Sequence, residues 1–134
     1  MRVLIVEDDF VGSRLMKKFL EAECFCHLAF DGREAIEAFE AALKEEKPYD
    51  LLFLDIMMPE VNGVDVLKAI RKMEQDKGVT PENSVKVIMT TAMNDADVIM
   101  ESFGARCDGY MVKPIRKDKL FEEIDNLGLL TREK

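Results

Sequence analysis

The sequence has little that would suit a membrane or secreted protein. No apolar run approaches the ~20 residues that a helix needs to cross a bilayer. The N-terminus reaches Glu7, Asp8 and Asp9 too soon for a secretory signal. We therefore expect a cytoplasmic protein without a membrane segment. A chain of 134 residues is long enough for one hydrophobic core and too short for two.

Positive charge is also scarce. The chain has 27 acidic and 19 basic residues, a formal charge of −8. Adjacent basic residues such as Lys17-Lys18 and Arg116-Lys117 form pairs rather than a stripe that could follow a phosphate backbone. We expect no direct binding to nucleic acid.

Cysteine and histidine are too few and poorly placed for a metal centre of their own. The candidates are Cys24, Cys26, His27 and Cys107. If residues 24–30 form a strand, Cys24 and Cys26 share one face while His27 points to the other. A single ion could not easily collect all of them, so the cysteines are interpreted as small buried hydrophobes and His27 as structural.

Two hydrophobic periods alternate along the chain. Short apolar runs predict strands at residues 2–6, 24–30, 51–54, 85–89 and 110–112. Between and after them, apolar stripes with helical spacing predict helices at residues 10–22, around 36–43, from Gly63, at 95–103 and around 120–127. Residues 75–84 form the longest polar loop, to which we assign no function. Strands that each precede a helix, without hairpin signals, predict an α/β fold with a parallel sheet covered on both faces.

The chemically informative residues all fall where predicted strands end. Glu7, Asp8 and Asp9 follow the first strand and Asp55 the third, while the fourth ends at Thr90-Thr91 and the fifth at Lys113-Pro114. The carboxyl ends of parallel strands share one edge of the sheet, where ligands of open α/β sheets bind. Converging carboxylates there would suit Mg²⁺. Taken singly, Asp9 could be only a helix N-cap and Lys113-Pro114 only a loop. These interpretations do not explain why all of these residues fall at the same edge of the predicted sheet.

Three longer motifs resemble the receiver domains of two-component signalling, in particular the single-domain, chemotaxis-regulator-like members. They are Leu4-Ile5-Val6-Glu7-Asp8-Asp9, Leu54-Asp55-Ile56-Met57-Met58-Pro59-Glu60-Val61-Asn62-Gly63 and Gly109-Tyr110-Met111-Val112-Lys113-Pro114, and Thr91-Ala92 lies between them. The resemblance implies a doubly wound, flavodoxin-like sheet with strand order 2-1-3-4-5. It also implies a receiver domain at residues 1–128 and a C-terminal tail at 129–134.

The resemblance also implies a role for each matching residue. Asp55 would accept the phosphoryl group, and Thr91 and Lys113 would contact its oxygens. Mg²⁺, or Mn²⁺ in its place, would be held by Glu7 through water, Asp8, Asp55 and the backbone carbonyl of Met57. Tyr110 would be the switch aromatic, and the Lys113-Pro114 bond would be cis. Because Asp9 is a third acid, the Glu7 and Asp8 assignments could shift by one residue, and Ser13 stands where relatives often carry Arg.

The partners implied are a sensor histidine kinase or histidine phosphotransfer protein as donor, and a protein target on the face of helix four, strand five and helix five.

Two other functions compete with this one. A haloacid-dehalogenase-type phosphatase uses the same groups but needs a second Asp two residues after its nucleophile, where this chain has Met57. A flavodoxin-like cofactor carrier needs a phosphate loop after strand one, where three acids would repel phosphate. We therefore expect a signalling switch that is not an enzyme.

Overall fold

Five parallel strands form the centre of the molecule in a computed structural model, which describes residues 1–58, 60–92 and 96–129, without the side chains of 96–99. The strands are β1 Arg2–Val6, β2 Phe25–Ala29, β3 Leu51–Asp55, β4 Lys86–Thr91 and β5 Gly109–Val112. The helices are α1 Phe10–Leu20, α2 Gly32–Lys44, α3 Gly63–Asp76, α4 Ala96–Gly104 and α5 Lys117–Asn126. The sheet order is β2-β1-β3-β4-β5, which confirms the predicted doubly wound fold.

The alternation of side chains along the strands divides the core into two layers. In β1, Leu4 and Val6 face the layer that also contains residues of α2 and α3, whereas Val3 and Ile5 face the layer of α1 and α5. Every residue of β3 is buried, because this strand is covered on both faces by helices and paired on both edges. The ends of β1 and β3 are therefore supported by a neighbouring strand on each side.

Short polar side chains begin the helices that follow the first three strands. Asp9, Asp31 and Asn62 each accept a hydrogen bond from a backbone N–H in the first turn of α1, α2 and α3, respectively. Such caps satisfy backbone donors that a helix start leaves unpaired. They fix the loops after β1, β2 and β3, all at the carboxyl edge of the sheet.

Several element bounds differ from the sequence prediction. Helix α1 ends at Leu20, two residues early, and β4 continues through Thr91. The polar loop predicted at 75–84 is shorter, because α3 runs through Asp76 and a 3-10 turn occupies Pro81–Asn83. The predicted start of the fourth helix at Asp95 lies outside the described residues. So does the predicted tail from residue 130 onward, while Leu129 still packs against the α1 and α5 layer. None of the described helices could span a membrane.

Candidate functional site

Three acidic side chains meet at the carboxyl edge of the sheet. Glu7 directly follows β1, and Asp55 is the last residue of β3. Both are almost fully buried, with 3% and 2% of their surface exposed, whereas Asp8 is exposed. One carboxylate oxygen from each of Glu7, Asp8 and Asp55 lies within 4.8 Å of the others. The sheet thus brings together the acids that the sequence placed at separate strand ends.

Lys113, which follows β5, supplies a cation to this group. Its Nζ lies 2.7 Å from Glu7 Oε1 and 3.2 Å from Asp55 Oδ2. Burial lowers the pKa of Lys113, but the hydrogen bond to Glu7 and the charges of Asp55 and Glu7 outweigh it, so the pKa is raised. One ammonium group among three carboxylates leaves the cluster short of positive charge.

The titration of Asp55 reflects this shortage. Its pKa is raised from 3.8 to about 7, first by burial and then by the charge and hydrogen bond of Glu7, while Lys113 opposes the rise. A buried carboxylate beside a second one is costly to ionise unless a cation balances both. The excess negative charge of this cluster therefore favours the binding of a further cation.

The donor set fits a hard divalent ion. Both oxygens of Glu7 are engaged, one with Lys113 and the other with the backbone N–H of Asp9 at 3.1 Å. Asp8 is exposed and lines a cavity of about 540 Å³. The remaining lining residues come from the loop after β3: Ile56, Met57, Met58, Glu60 and Asn62. Carboxylate oxygens beside open, water-accessible space match the preference of Mg²⁺ for oxygen ligands and retained waters.

Asp9, the acid that made the assignment uncertain by one residue, has another task. Its carboxylate accepts the N–H of Val11 at 3.2 Å and caps α1. It is not among the three acids whose oxygens converge. The structural interpretation of Asp9 is thus the one observed, and the geometry favours Glu7 and Asp8 as the acids of the site.

Gly63 explains why the loop after β3 returns so closely to its strand. A Cβ at this position would lie 2.2 Å from the carbonyl oxygen of Asp55 and 2.8 Å from Cα of Ile56. The Gly63 N–H donates to the Ile56 carbonyl at 2.9 Å. Only a residue without a side chain permits this approach. Gly63 thereby lets the loop pack against the backbone of Asp55 and helps to position it. The sequence motif includes this glycine but does not by itself reveal the role.

The other predicted residues surround Asp55 from β4 and β5. Thr90 pairs with Asp55 across the sheet, and the adjacent Thr91 is buried, with its carbonyl accepting the Lys113 N–H at 2.7 Å. The Lys113-Pro114 bond is cis, as expected. Tyr110 lies further out, 38% exposed, with its ring edge-on to Phe103 at 6.1 Å.

The cysteines and the histidine take no part in this site. His27 Nδ1 lies 2.6 Å from the Tyr49 hydroxyl, near the opposite, amino-terminal edge of the sheet. Burial raises the pKa of the Cys26 and Cys107 thiols to about 11, so neither is poised as a thiolate.

Comparison with known proteins identifies this arrangement. The family model for the response regulator receiver domain matches residues 3–125. The chain belongs to this family. It is a receiver domain of two-component signalling, and this assignment gives no support to the alternative of a haloacid-dehalogenase-type phosphatase.

Relatives of the chain occur both as short proteins and as parts of long ones. It is 33% identical over 130 residues to chemotaxis protein CheY of Thermotoga maritima, covering 95% of this chain and 97% of that protein. It is 35% identical over 136 residues to hybrid signal transduction histidine kinase G of Dictyostelium discoideum, but there it spans only 4% of the relative. For two other curated relatives the spanned share is 50% and 9%.

Solved structures show the same fold. One is the receiver domain of Ssk1, crystallised with the histidine phosphotransfer protein Ypd1 from Saccharomyces cerevisiae. It superposes with a TM-score of 0.81 at 26% identity, covering 96% of this chain and 88% of that one.

A second ionic cluster, which the sequence analysis missed, lies at the opposite edge of the sheet. Arg71 and Glu74 of α3 are buried and joined at 2.8 Å, and Arg71 also reaches Asp108 at 3.2 Å. A signal was available in the sequence: Arg71 and Glu74 are in phase with the apolar stripe of α3 formed by Val64 and Leu67. We call Arg71, Glu74 and Asp108 the Arg71 cluster.

Proposed function

We propose that residues 1–128 form a cytoplasmic, phosphorylation-operated switch in which Asp55 accepts a phosphoryl group from a phosphohistidine of a sensor kinase or phosphotransfer protein. One observation carries the proposal most strongly. Asp55 is a buried carboxylate at a strand end, within 3.2 Å of a lysine ammonium and close to two further acids. Phosphoryl acceptance by an aspartate needs a carboxylate nucleophile with cations beside it. Lys113 supplies one cation, and the neighbouring acids suit a metal ion as the second.

The proposed reaction requires little more than positioning and charge. An Asp55 oxygen attacks the phosphorus, the phosphorus–nitrogen bond to the donor histidine breaks, and an aspartyl phosphate forms. Lys113, next to the attacking carboxylate, offsets negative charge on the transferred group. Thr91, at the end of β4, would donate its hydroxyl to a phosphoryl oxygen. Mg²⁺ or Mn²⁺, held by Asp8, Asp55, the Met57 carbonyl and Glu7 through water, would neutralise further phosphoryl charge.

The acceptor is tested with a small-molecule donor. Acetyl phosphate and Mg²⁺ should add one phosphoryl group that is labile to base and hydroxylamine, measured by intact mass. The label should be absent in Asp55→Asn. The matched control is Asp9→Ser, which removes a neighbouring acid but keeps a residue that caps a helix well. A label that survives Asp55→Asn, or disappears in Asp9→Ser, would contradict the assignment.

The metal is tested separately by titrating Mg²⁺ and following backbone amide shifts. We expect weak, saturable binding that perturbs residues around the cavity beside Asp8. Asp8→Ala should remove most of it and leave the fold intact or slightly stabilised, because one of three mutually repelling acids is gone. A clear loss of stability in metal-free Asp8→Ala would show that Asp8 is structural.

A surface beside the acid site offers a place for the donor protein. Phe10, Val11 and Leu15 of α1 are 59%, 73% and 46% exposed. Val11 and Leu15 border a groove of about 450 Å³ that continues to Pro114 and Ile115 and is also lined by Glu7 and Lys113. Exposed apolar side chains beside a reactive site are typical of a docking surface. We propose that the phosphohistidine protein docks here.

Two donors separate docking from chemistry. Leu15→Glu should slow phosphotransfer from a phosphorylated histidine phosphotransfer protein but leave phosphorylation by acetyl phosphate unchanged. Phe25→Glu, an equally drastic change of an exposed residue at the start of β2, on the opposite edge of the sheet, is the control and should affect neither rate. Equal slowing with both donors would mean that Leu15 supports the site itself.

The output face is proposed to be the surface of α4, β5 and α5 around Tyr110, where Met100, Phe103 and Val112 are also exposed. The chain has two tyrosines and no tryptophan, so Tyr49→Phe leaves Tyr110 as the only strong fluorophore. Its emission should change on phosphorylation, and not in the Asp55→Asn background. An unchanged signal would remove Tyr110 from the switch.

A further inference from the structure

A second groove lies away from the acid site, at the amino-terminal edge of the sheet. It has a volume of about 670 Å³, within the range of small-molecule sites. It is formed by the second half of α3, the α3–β4 connection and the turn after α4, and its lining residues are Lys68, Arg71, Lys72, Gln75, Gly78, Val79, Pro81, Gly104, Ala105 and Arg106.

The charge of this groove is opposite to that of the chain. Four of its lining residues are cations and none is acidic, although the chain carries a net charge of −8. The charge of Arg71 is balanced by Glu74 and Asp108, so the cations open to a ligand are Lys68, Lys72 and Arg106. Two acids at the rim contact the groove lysines: Glu101 lies 3.5 Å from Lys68, and Asp76 lies 3.0 Å from Lys72. Both pairs are exposed on both sides, and such pairs contribute little. A more highly charged anion could replace these rim acids.

One wall of the groove is held in place from inside. Arg71 donates two hydrogen bonds to the Arg106 carbonyl, from Nε at 3.0 Å and from Nη2 at 2.7 Å. Arg106 adopts a left-handed backbone conformation with φ of 71°, which is uncommon for a residue with a side chain. The hydrogen bonds support this conformation, and the Arg106 side chain remains exposed at the rim. These bonds fix the backbone from which the Arg106 side chain extends at the rim.

The rest of the lining is small and partly apolar. Gly104 and Ala105 form one side, while Gly78, Val79 and Pro81 form the other. An added Cβ at Gly78 or Gly104 would meet no atom within 4 Å, so neither glycine is crowded and the groove is open beside them. Lys68 and Lys72 are one helical turn apart on α3, so they lie on the same face. The groove thus combines neighbouring cations with a shallow apolar surface.

We propose that this groove binds a small polyphosphate-bearing ligand of the nucleotide class, with its phosphates at Lys68, Lys72 and Arg106 and its base against Val79 and Pro81. The size of the ligand follows from electrostatics. At physiological ionic strength charges are screened over about 8 Å. A small anion inside the groove would experience mainly the local cations, whereas an acidic protein would also contact the surrounding negative surface.

The test uses the complete chain and isothermal titration calorimetry in EDTA, with ATP, GTP and inorganic tripolyphosphate as probes. We expect a nucleotide to bind in a salt-dependent manner and more tightly than tripolyphosphate, which lacks a base. Lys72→Glu and Arg106→Glu should each weaken binding at least about fivefold. Lys119→Glu is the matched control, because Lys119 is an exposed helix lysine paired with an acid in the same way, at 3.5 Å from Glu122.

The proposal is overturned if no nucleotide binds, or if Lys119→Glu weakens binding as much as Lys72→Glu. Binding that is unchanged in Lys72→Glu but altered in Asp8→Asn would place the nucleotide at the acid site instead. If a glutamate-rich peptide binds the groove and nucleotides do not, the occupant is a segment of a protein partner. Circular dichroism of each variant confirms that it is folded.

Discussion

The two ionic clusters at opposite edges of the same sheet solve the problem of buried charge in different ways. In the Arg71 cluster all five N–H donors of the guanidinium are used: they reach Glu74, Asp108, the Val85 carbonyl and, twice, the Arg106 carbonyl. At the acid site, three carboxylates share one ammonium group, and Asp55 keeps a pKa of about 7. One cluster is complete within the chain, and the other needs something from outside.

This difference matches what each edge has to do. The carboxylates of the Arg71 cluster also accept backbone N–H groups, Glu74 from Val85 and Asp108 from Val87. The cluster therefore joins α3 to the starts of β4 and β5, and its guanidinium group has no unused N–H to offer a ligand. The acid site, by contrast, carries unbalanced negative charge, which suits the metal ion proposed for it. The Arg71 cluster thus stabilises the amino-terminal edge of the sheet, while the acid site at the carboxyl-terminal edge is the one suited to bind a ligand.

The largest expected effect is on the complete cluster. Arg71→Met should lower the free energy of unfolding by about 3–5 kcal/mol, because Glu74 would remain buried without its cation. Urea unfolding measures this. The control is Arg33→Met, which removes an arginine that is 85% exposed and paired with Glu37, and should change stability by less than about 0.5 kcal/mol. Similar losses in both variants would show that the Arg71 cluster is not a special source of stability.

Gly63→Ala tests the support of the incomplete site. The new methyl group would overlap the Asp55 carbonyl, so the loop after β3 must move, at a cost of about 2–3 kcal/mol. Phosphorylation by acetyl phosphate should slow as well, because Asp55 would be displaced. Gly104→Ala, where a Cβ meets nothing within 4 Å, is the matched control and should leave both stability and phosphorylation nearly unchanged. A normal phosphorylation rate in Gly63→Ala would contradict the positioning role.

The fold and the acid site were both predictable because their signals are local. Continuous apolar runs mark β1 and β3, and the position of Glu7 and Asp55 at the ends of those runs places them on one edge of a parallel sheet. The Arg71 cluster has no such signal beyond its phase on α3. Its partners come from three separate segments, residues 74, 85 and 106–108, and the left-handed conformation of Arg106 is visible only once they are assembled.

Removal of the unbalanced charge should stabilise the protein, in contrast to Arg71→Met. Since the folded pKa of Asp55 is raised above its unfolded value, its favourable contribution is present at low pH and is lost as the pH rises from about 4 to about 7. Metal-free Asp55→Asn should therefore be more stable than the unsubstituted protein by about 1–2 kcal/mol at pH 8, with a smaller gain at pH 5. Thermal unfolding in EDTA at the two pH values measures this. A gain that is equal at both would contradict the raised pKa.

The smallest expected effect concerns how long the acid site stays changed. Met57 lies two residues beyond Asp55, and its side chain is 63% exposed while its N–H donates to Asp55 Oδ1 at 3.2 Å. Hydrolysis of an aspartyl phosphate needs water in line with the phosphorus, and a methionine side chain offers no group strong enough to orient that water. We expect a phosphorylated state that persists for minutes or longer, and faster decay when a polar side chain replaces Met57.

Met57→Asn should shorten this lifetime about threefold, equivalent to only ~0.65 kcal/mol of barrier. So small a difference must be measured directly, as the loss of phosphoprotein after removal of acetyl phosphate, in the two proteins side by side. Met100→Asn, which changes a 71% exposed methionine on α4, is the control and should decay at the original rate. Equal decay in Met57→Asn would mean that water reaches the phosphorus by a path that Met57 does not border. The distinction between a lasting signal and a hydrolysed intermediate would then have to depend on another residue of the acid site.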